Sequence, residues 1–126
     1  MTTVIEKPKV QPQVGDILCS SWGYDQTNID FYKVVKVSAS SVWIQKVGQV
    51  WEQLDGFLGE YVIPSDSSDY EVRDWDTNES VTRTYPIKQK RIQTKYAGEN
   101  GWYVNINDYA SAYPWDGKPK LQTHTH

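Results

Sequence analysis

Phenylalanine and cysteine are nearly missing from this chain, with two Phe and one Cys among 126 residues. A single thiol, Cys19, excludes an internal disulfide and a multi-cysteine zinc site, so a packed core has to hold the fold. Histidine is as scarce, and His124 and His126 near the end fall short of the ligand number that a closed metal site needs. There is no basic excess either: 13 Lys plus Arg face 16 Asp plus Glu, a net charge of −3, which argues against a sequence-independent coat on phosphate backbones. No run approaches the roughly 18 apolar residues that span a bilayer, and the first residues lack the apolar centre of a signal peptide. The expectation is a soluble, cytoplasmic protein with no membrane partner, no cofactor and no metal. Its length suits one domain with one real core.

What is abundant is the other pair of aromatics, six Trp and nine Tyr. Each has an apolar body and a polar handle, which suits half-exposed positions. Two uses compete: cross-strand packing in a thin sheet, or a recognition surface.

Residues 1–13, with Pro8 and Pro12 and no periodicity, read as a flexible lead-in to a single β domain over 14–126. "GDILCSSWG" alternates as a first strand, with Ile17 and Cys19 on one face and Leu18 on the other, until Gly23 permits a turn. "DFYKVVKVS" and "SVWIQKVG" form a hairpin about the serines at 38–41. Phe31, Val35 and Val37 are expected on one face of its first strand, with Tyr32 and Val34 on the other. In the next strand Val42 and Ile44 oppose Trp43 and Gln45.

From about 49 to 80 the pattern becomes irregular and acidic, with nine carboxylates against Arg73. A short edge strand ending at Pro64, then an exposed loop, is the expectation. The sign then reverses in "RTYPIKQKRIQTKY", where alternation gives a wet face of Gln89, Arg91, Gln93 and Lys95. "WYVNIND" turns Trp102, Val104 and Ile106 inward, and is expected to form a hairpin with the basic strand. At most one short helix, near 109–113, is expected, and an Asp116-Gly117 turn follows. Six or seven strands in a mainly β, antiparallel, partly open barrel or bent sheet is the economical architecture.

The densest polar-aromatic stretch is "SSWGYDQTNIDFY". Asp25, Asn28 and Asp30 lack the ligand spacing, central Gly and final Glu of a calcium loop. Asp25 or Asp30 as a general base would define a small enzyme, yet no nucleophile pattern accompanies either. A self-satisfied Asx-turn is one reading of the tip. The other is a recognition loop in which Trp22, Tyr24 and Tyr32 supply flat faces and Asp25, Gln26, Thr27 and Asn28 supply directional hydrogen bonds. Trp115 and Asp116 join it if the two ends of the chain meet. Lys88, Lys90, Arg91 and Lys95 are candidate phosphate contacts for a single-stranded nucleic-acid or nucleotide-binding module. Cys19, within an apolar strand and without an adjacent base, reads as a core residue.

The G-D-I strand opening, W-G-Y-D-Q-T-N followed by D-F-Y, and W-D-G-K-P at Trp115–Pro119 together resemble a group of small proteins encoded by bacteriophages and other mobile elements. That resemblance implies origin rather than mechanism. By analogy it implies a non-enzymatic protein that engages a host macromolecule, a host protein or protein–nucleic-acid complex, including inhibition of a defence nuclease.

Overall fold

A computed structural model describes residues 11–23, 26–53, 59–95, 97–98 and 101–123. These carry eleven strands: β1 (Ile17–Trp22), β2 (Asn28–Val37), β3 (Ser41–Val47), β4 (Gln49–Gln53), β5 (Gly59–Pro64), β6 (Asp69–Arg73), β7 (Ser80–Thr84), β8 (Ile87–Arg91), β9 (Val104–Asn107), β10 (Ala110–Pro114) and β11 (Lys120–Thr123). Six of them form an antiparallel sheet in the order β8-β3-β2-β1-β10-β9. The sheet curls until its edges approach. Gln93 and Tyr103 exchange two backbone hydrogen bonds of 2.8 and 2.9 Å, and Lys90 Nζ donates to the Ile106 carbonyl at 3.0 Å. The result is the nearly closed β-barrel that the strand pattern anticipates.

Strand alternation divides this sheet into two packed faces. Leu18, Val34, Val42, Ile44, Trp102, Val104 and Ala112 fill the barrel interior. Trp102, 1 % exposed, is the largest of them; truncating such a side chain costs about 3–5 kcal/mol. The outer face of β1 to β3 is also apolar, through Ile17, Cys19, Ile29, Phe31 and Val47, and it packs with Val62 of β5 and with Trp115. Val62 belongs to a second sheet, ordered β11-β5-β4, which covers that side.

Several local expectations are corrected. Val35 is a bulge: pairing steps from Val34↔Ile44 to Lys36↔Trp43, so Val37 joins Val34 in the interior instead of sharing a face with Phe31. One inserted residue reverses every later side chain. Residues 49–80 are more regular than their acidity suggested, because β4, β5 and β6 lie within them. β5 is central, not an edge, and its Pro64 sits at the strand end where a missing N–H is tolerated.

The expected exposed loop is a two-stranded arm, β6 with β7. Val72 faces Val81 across it, Thr84 Oγ1 donates to Asp69 Oδ1 at 2.5 Å, and Tyr70 stacks on Tyr85 at 4.3 Å. Its turn is closed by the Asn78 amide on the Asp74 carbonyl, with Asn78 in the left-handed region at φ 59°. Residues 110–114 form β10 rather than a helix. Ala110 and Ala112 are good helix formers, but here their small side chains fit beneath the barrel core, and packing overrides propensity. The basic segment and "WYVNIND" pair antiparallel at one point, Gln93 with Tyr103, rather than along a full hairpin. β8 pairs with β3 and β9 with β10, so the two meet only across the barrel seam.

Candidate functional site at the barrel mouth

Residues directly opposite in an antiparallel pair share a face. The rows Trp22↔Asn28, Ser20↔Asp30 and Leu18↔Tyr32 therefore carry the polar residues of the motif inward with Leu18. Tyr32 pairs in turn with Lys46, Ile44 with Lys88, and Val42 with Lys90. One side of the barrel interior is thus lined by Trp22, Asn28, Asp30, Tyr32, Lys46, Lys88 and Lys90, where a fully apolar core would continue.

These groups are held in place by one another. The Trp22 indole N–H donates to Asp30 Oδ2 at 2.7 Å, and Lys46 Nζ lies 3.3 Å from Asp30 Oδ1. The Lys46 ammonium also lies 5.2 Å from the centre of the Tyr85 ring, and the Trp22 ring meets Tyr109 at 5.9 Å. Burial pushes the Tyr32 hydroxyl up to about 12, with the Asp30 carboxylate and Tyr109 acting in the same direction. That phenol stays protonated and can donate. Both Asp30 oxygens are engaged, which leaves it poorly placed as a general base.

Two adjoining concavities open here. A cleft of about 360 Å³ is lined by Trp22, Asn28, Asp30, Lys46, Trp51 and Tyr85, with Gln49 and Gln122 at its side. Trp51 is 60 % exposed, a large flat surface left in water. Lys46 and Tyr85 also line a smaller pocket of about 130 Å³, together with Tyr32, Ile44, Pro86, Lys88, Lys90 and Ile106. Three lysines line it, and its walls are otherwise apolar or aromatic.

The loop tip itself is tightly made. Gly23 has φ 129°, and a Cβ there would overlap the Gln26 carbonyl oxygen and crowd the Asn28 amide. Gln26 Nε2 donates to Asn28 Oδ1 at 3.1 Å. The Thr27 amide donates to Thr123 Oγ1 at 2.9 Å, the Thr123 amide returns to the Thr27 carbonyl at 3.0 Å, and the Ile29 amide donates to Gln122 Oε1 at 3.0 Å. Gln49 Nε2 donates to the Ile29 carbonyl. The motif and the end of the chain do adjoin, through β11. Tyr24 and Asp25 lie outside the described residues, as do His124 and His126.

Trp115 and Asp116 belong to a different surface. The Trp115 ring meets Phe31 edge-on at 5.8 Å on the outer face of the barrel, and its indole N–H donates to the Lys118 carbonyl at 2.8 Å. The Lys120 ammonium, hydrogen-bonded to the exposed Asp116 carboxylate, and the Lys118 amide hold that carboxyl below its ordinary range. With Thr27, Tyr113 and Leu121 they line an open groove of about 460 Å³. Cys19 lines it too, and burial pushes its thiol up to about 11 against the opposing pull of Lys120. The basic set also divides: Lys88 and Lys90 face inward, Arg91 alternates outward, and Lys95 lies exposed beyond the strand.

Lys46, Trp51 and Tyr85 are the site residues that sequence reading missed. Continuing the Val42–Ile44 face by one step reaches Lys46, a signal that was present. Nothing local distinguishes Trp51 or Tyr85, because the pairing of β4 with β5 and the β6–β7 arm bring them to the mouth. Among the described residues no three His, Cys, Asp or Glu side chains gather as a metal site would require. No protein-family model, curated protein or solved structure matches the chain.

Proposed function

We propose that this chain is a non-enzymatic binding module of mobile-element origin that engages a host macromolecule through the mouth of its barrel. The observation that carries the reading is the inward row of Trp22, Asn28, Asp30 and Tyr32 opening onto exposed Trp51 and half-buried Tyr85. Rigid aromatic faces beside hydrogen-bonding groups are the composition of recognition surfaces. A defence nuclease of the host is the partner class that the resemblance favours. The engagement of Asp30 by Trp22 and Lys46 supports binding over catalysis.

The test is capture from host extract by the immobilised chain, compared with Trp51→Ala and Tyr85→Ala. One host component retained at micromolar concentration by the parent and released by both variants is the expected result. No retained component, or equal retention by all three, overturns the proposal. A second reading, binding of a nucleotide or of single-stranded nucleic acid, is favoured by the three inward lysines beside the aromatic cleft.

A further inference from the structure

Three lysines gather where the inner face of the barrel meets solvent, and whether each has a partner decides what that mouth can attract. Two of the three have one. Lys46 is paired with Asp30, and Lys90 donates to the Ile106 carbonyl, which helps to close the seam. Lys88, opposite Ile44 in the register of β3 with β8, is exposed and has no side-chain partner among the described residues. Three lysines less the Asp30 carboxylate leave a local charge of +2 in a chain whose net charge is −3.

That surplus matches a phosphomonoester, which carries about −1.5 to −2 at neutral pH. A phosphate fits within about 130 Å³, but a nucleoside does not fit there as well. The larger cleft shares Lys46 and Tyr85 with the pocket and adds Trp22 and Trp51. Bases stack on such aromatic faces with little regard to sequence. Asn28 in the same cleft carries a side-chain amide of the kind that base edges hydrogen-bond.

We infer that the barrel mouth binds a nucleoside 5′-phosphate, with the phosphate among Lys46, Lys88 and Lys90 and the base in the cleft beside Trp51 and Tyr85. This rests on the mouth being the binding surface and names the chemistry it takes. Free nucleotide and the 5′-phosphorylated end of a nucleic acid present the same group.

The experiment titrates the full chain with AMP, adenosine and inorganic phosphate, and with one tetranucleotide in 5′-phosphorylated and 5′-hydroxyl forms, following tryptophan fluorescence and calorimetry. AMP or the 5′-phosphorylated tetranucleotide is expected to bind at least tenfold more tightly than its unphosphorylated counterpart. Lys88→Gln is expected to lower that affinity about tenfold and to leave adenosine binding unchanged, whereas Trp51→Ala weakens both. Lys36→Gln removes the same charge from the outer face, where Lys36 lies over Trp43, and is expected to change nothing. Response to AMP alone identifies free nucleotide as the source; response to the tetranucleotide alone identifies a nucleic-acid end. Equal affinity with and without the phosphate, or parent-like binding by Lys88→Gln, overturns the inference. Capture of a host protein with no nucleotide binding would overturn the inference and leave the binding-module proposal standing.

Discussion

The indole nitrogen of Trp22 donates to Asp30 Oδ2 at 2.7 Å, joining the last residue of β1 to the third residue of β2 across an inward-facing diagonal. Lys46 holds the other carboxylate oxygen, so one half-buried carboxylate fixes an aromatic ring and an ammonium group together. Asp30→Ala removes both contacts and is expected to destabilise the fold by about 1.5–3 kcal/mol, the range for hydrogen bonds to charged groups. Trp22→Phe keeps the Lys46 pair and should cost less. Urea unfolding with an unchanged slope reads both. An Asp30→Ala midpoint equal to the parent's would show that the carboxylate does not organise the mouth.

Gly23→Ala tests the tip. The backbone there has φ 129°, and the new methyl group would collide with the Gln26 carbonyl. Strained backbone of this kind costs about 1–3 kcal/mol before the collision is counted. A loss of at least about 2 kcal/mol is expected by the same unfolding assay, and unchanged stability would mean that the tip refolds around the methyl group.

Thr123→Val removes the hydroxyl that accepts the Thr27 amide but keeps the side chain's shape. A half-buried N–H left without its acceptor costs about 1–3 kcal/mol. Hydrogen exchange localises the effect: the Thr27 amide is expected to exchange at least tenfold faster, with Leu18 and Val34 in the barrel unaffected. Uniform acceleration throughout the chain would contradict a local clasp.

Cys19 supplies a pH test. Its thiol is raised to about 11 in the folded chain, chiefly by burial, against an ordinary value of about 9 when unfolded. The folded state therefore holds the proton more tightly, and the stability this contributes is present below the unfolded value and lost as pH rises toward 11. At pH 8 the thiolate fraction is about a hundredfold lower than in the unfolded chain, so iodoacetamide should label the folded protein about a hundredfold more slowly. Similar rates with and without urea would contradict this burial.

The barrel was legible because its strands announce themselves. Ile17 to Trp22, Phe31 to Val37, Val42 to Val47 and Trp102 to Ile106 alternate apolar and polar side chains, and the inward set read from "WYVNIND" is the set that the fold buries. Composition misled in two places. Acidic residues at 69–79 disguised a hairpin whose pairing rests on Val72, Val81 and backbone bonds, and alanines at 110 and 112 imitated a helix. Both errors have one cause: local propensity is weaker than the hydrogen bonds and packing that neighbouring strands provide.

The sequence by itself determined that this chain is a mainly β domain held together without disulfides, and it marked residues 20–32 as the stretch richest in aromatic and polar groups. Only the tertiary structure decided which of those groups act together. The bulge at Val35 and the register of β3 with β8 are long-range choices, settled by the burial of one apolar face against another rather than by any local signal. Strand registers of this kind bring Lys46, Lys88 and Lys90 beside Tyr32, and the pairing of β10 with β1 places Trp115 and Asp116 on the opposite face of the same sheet.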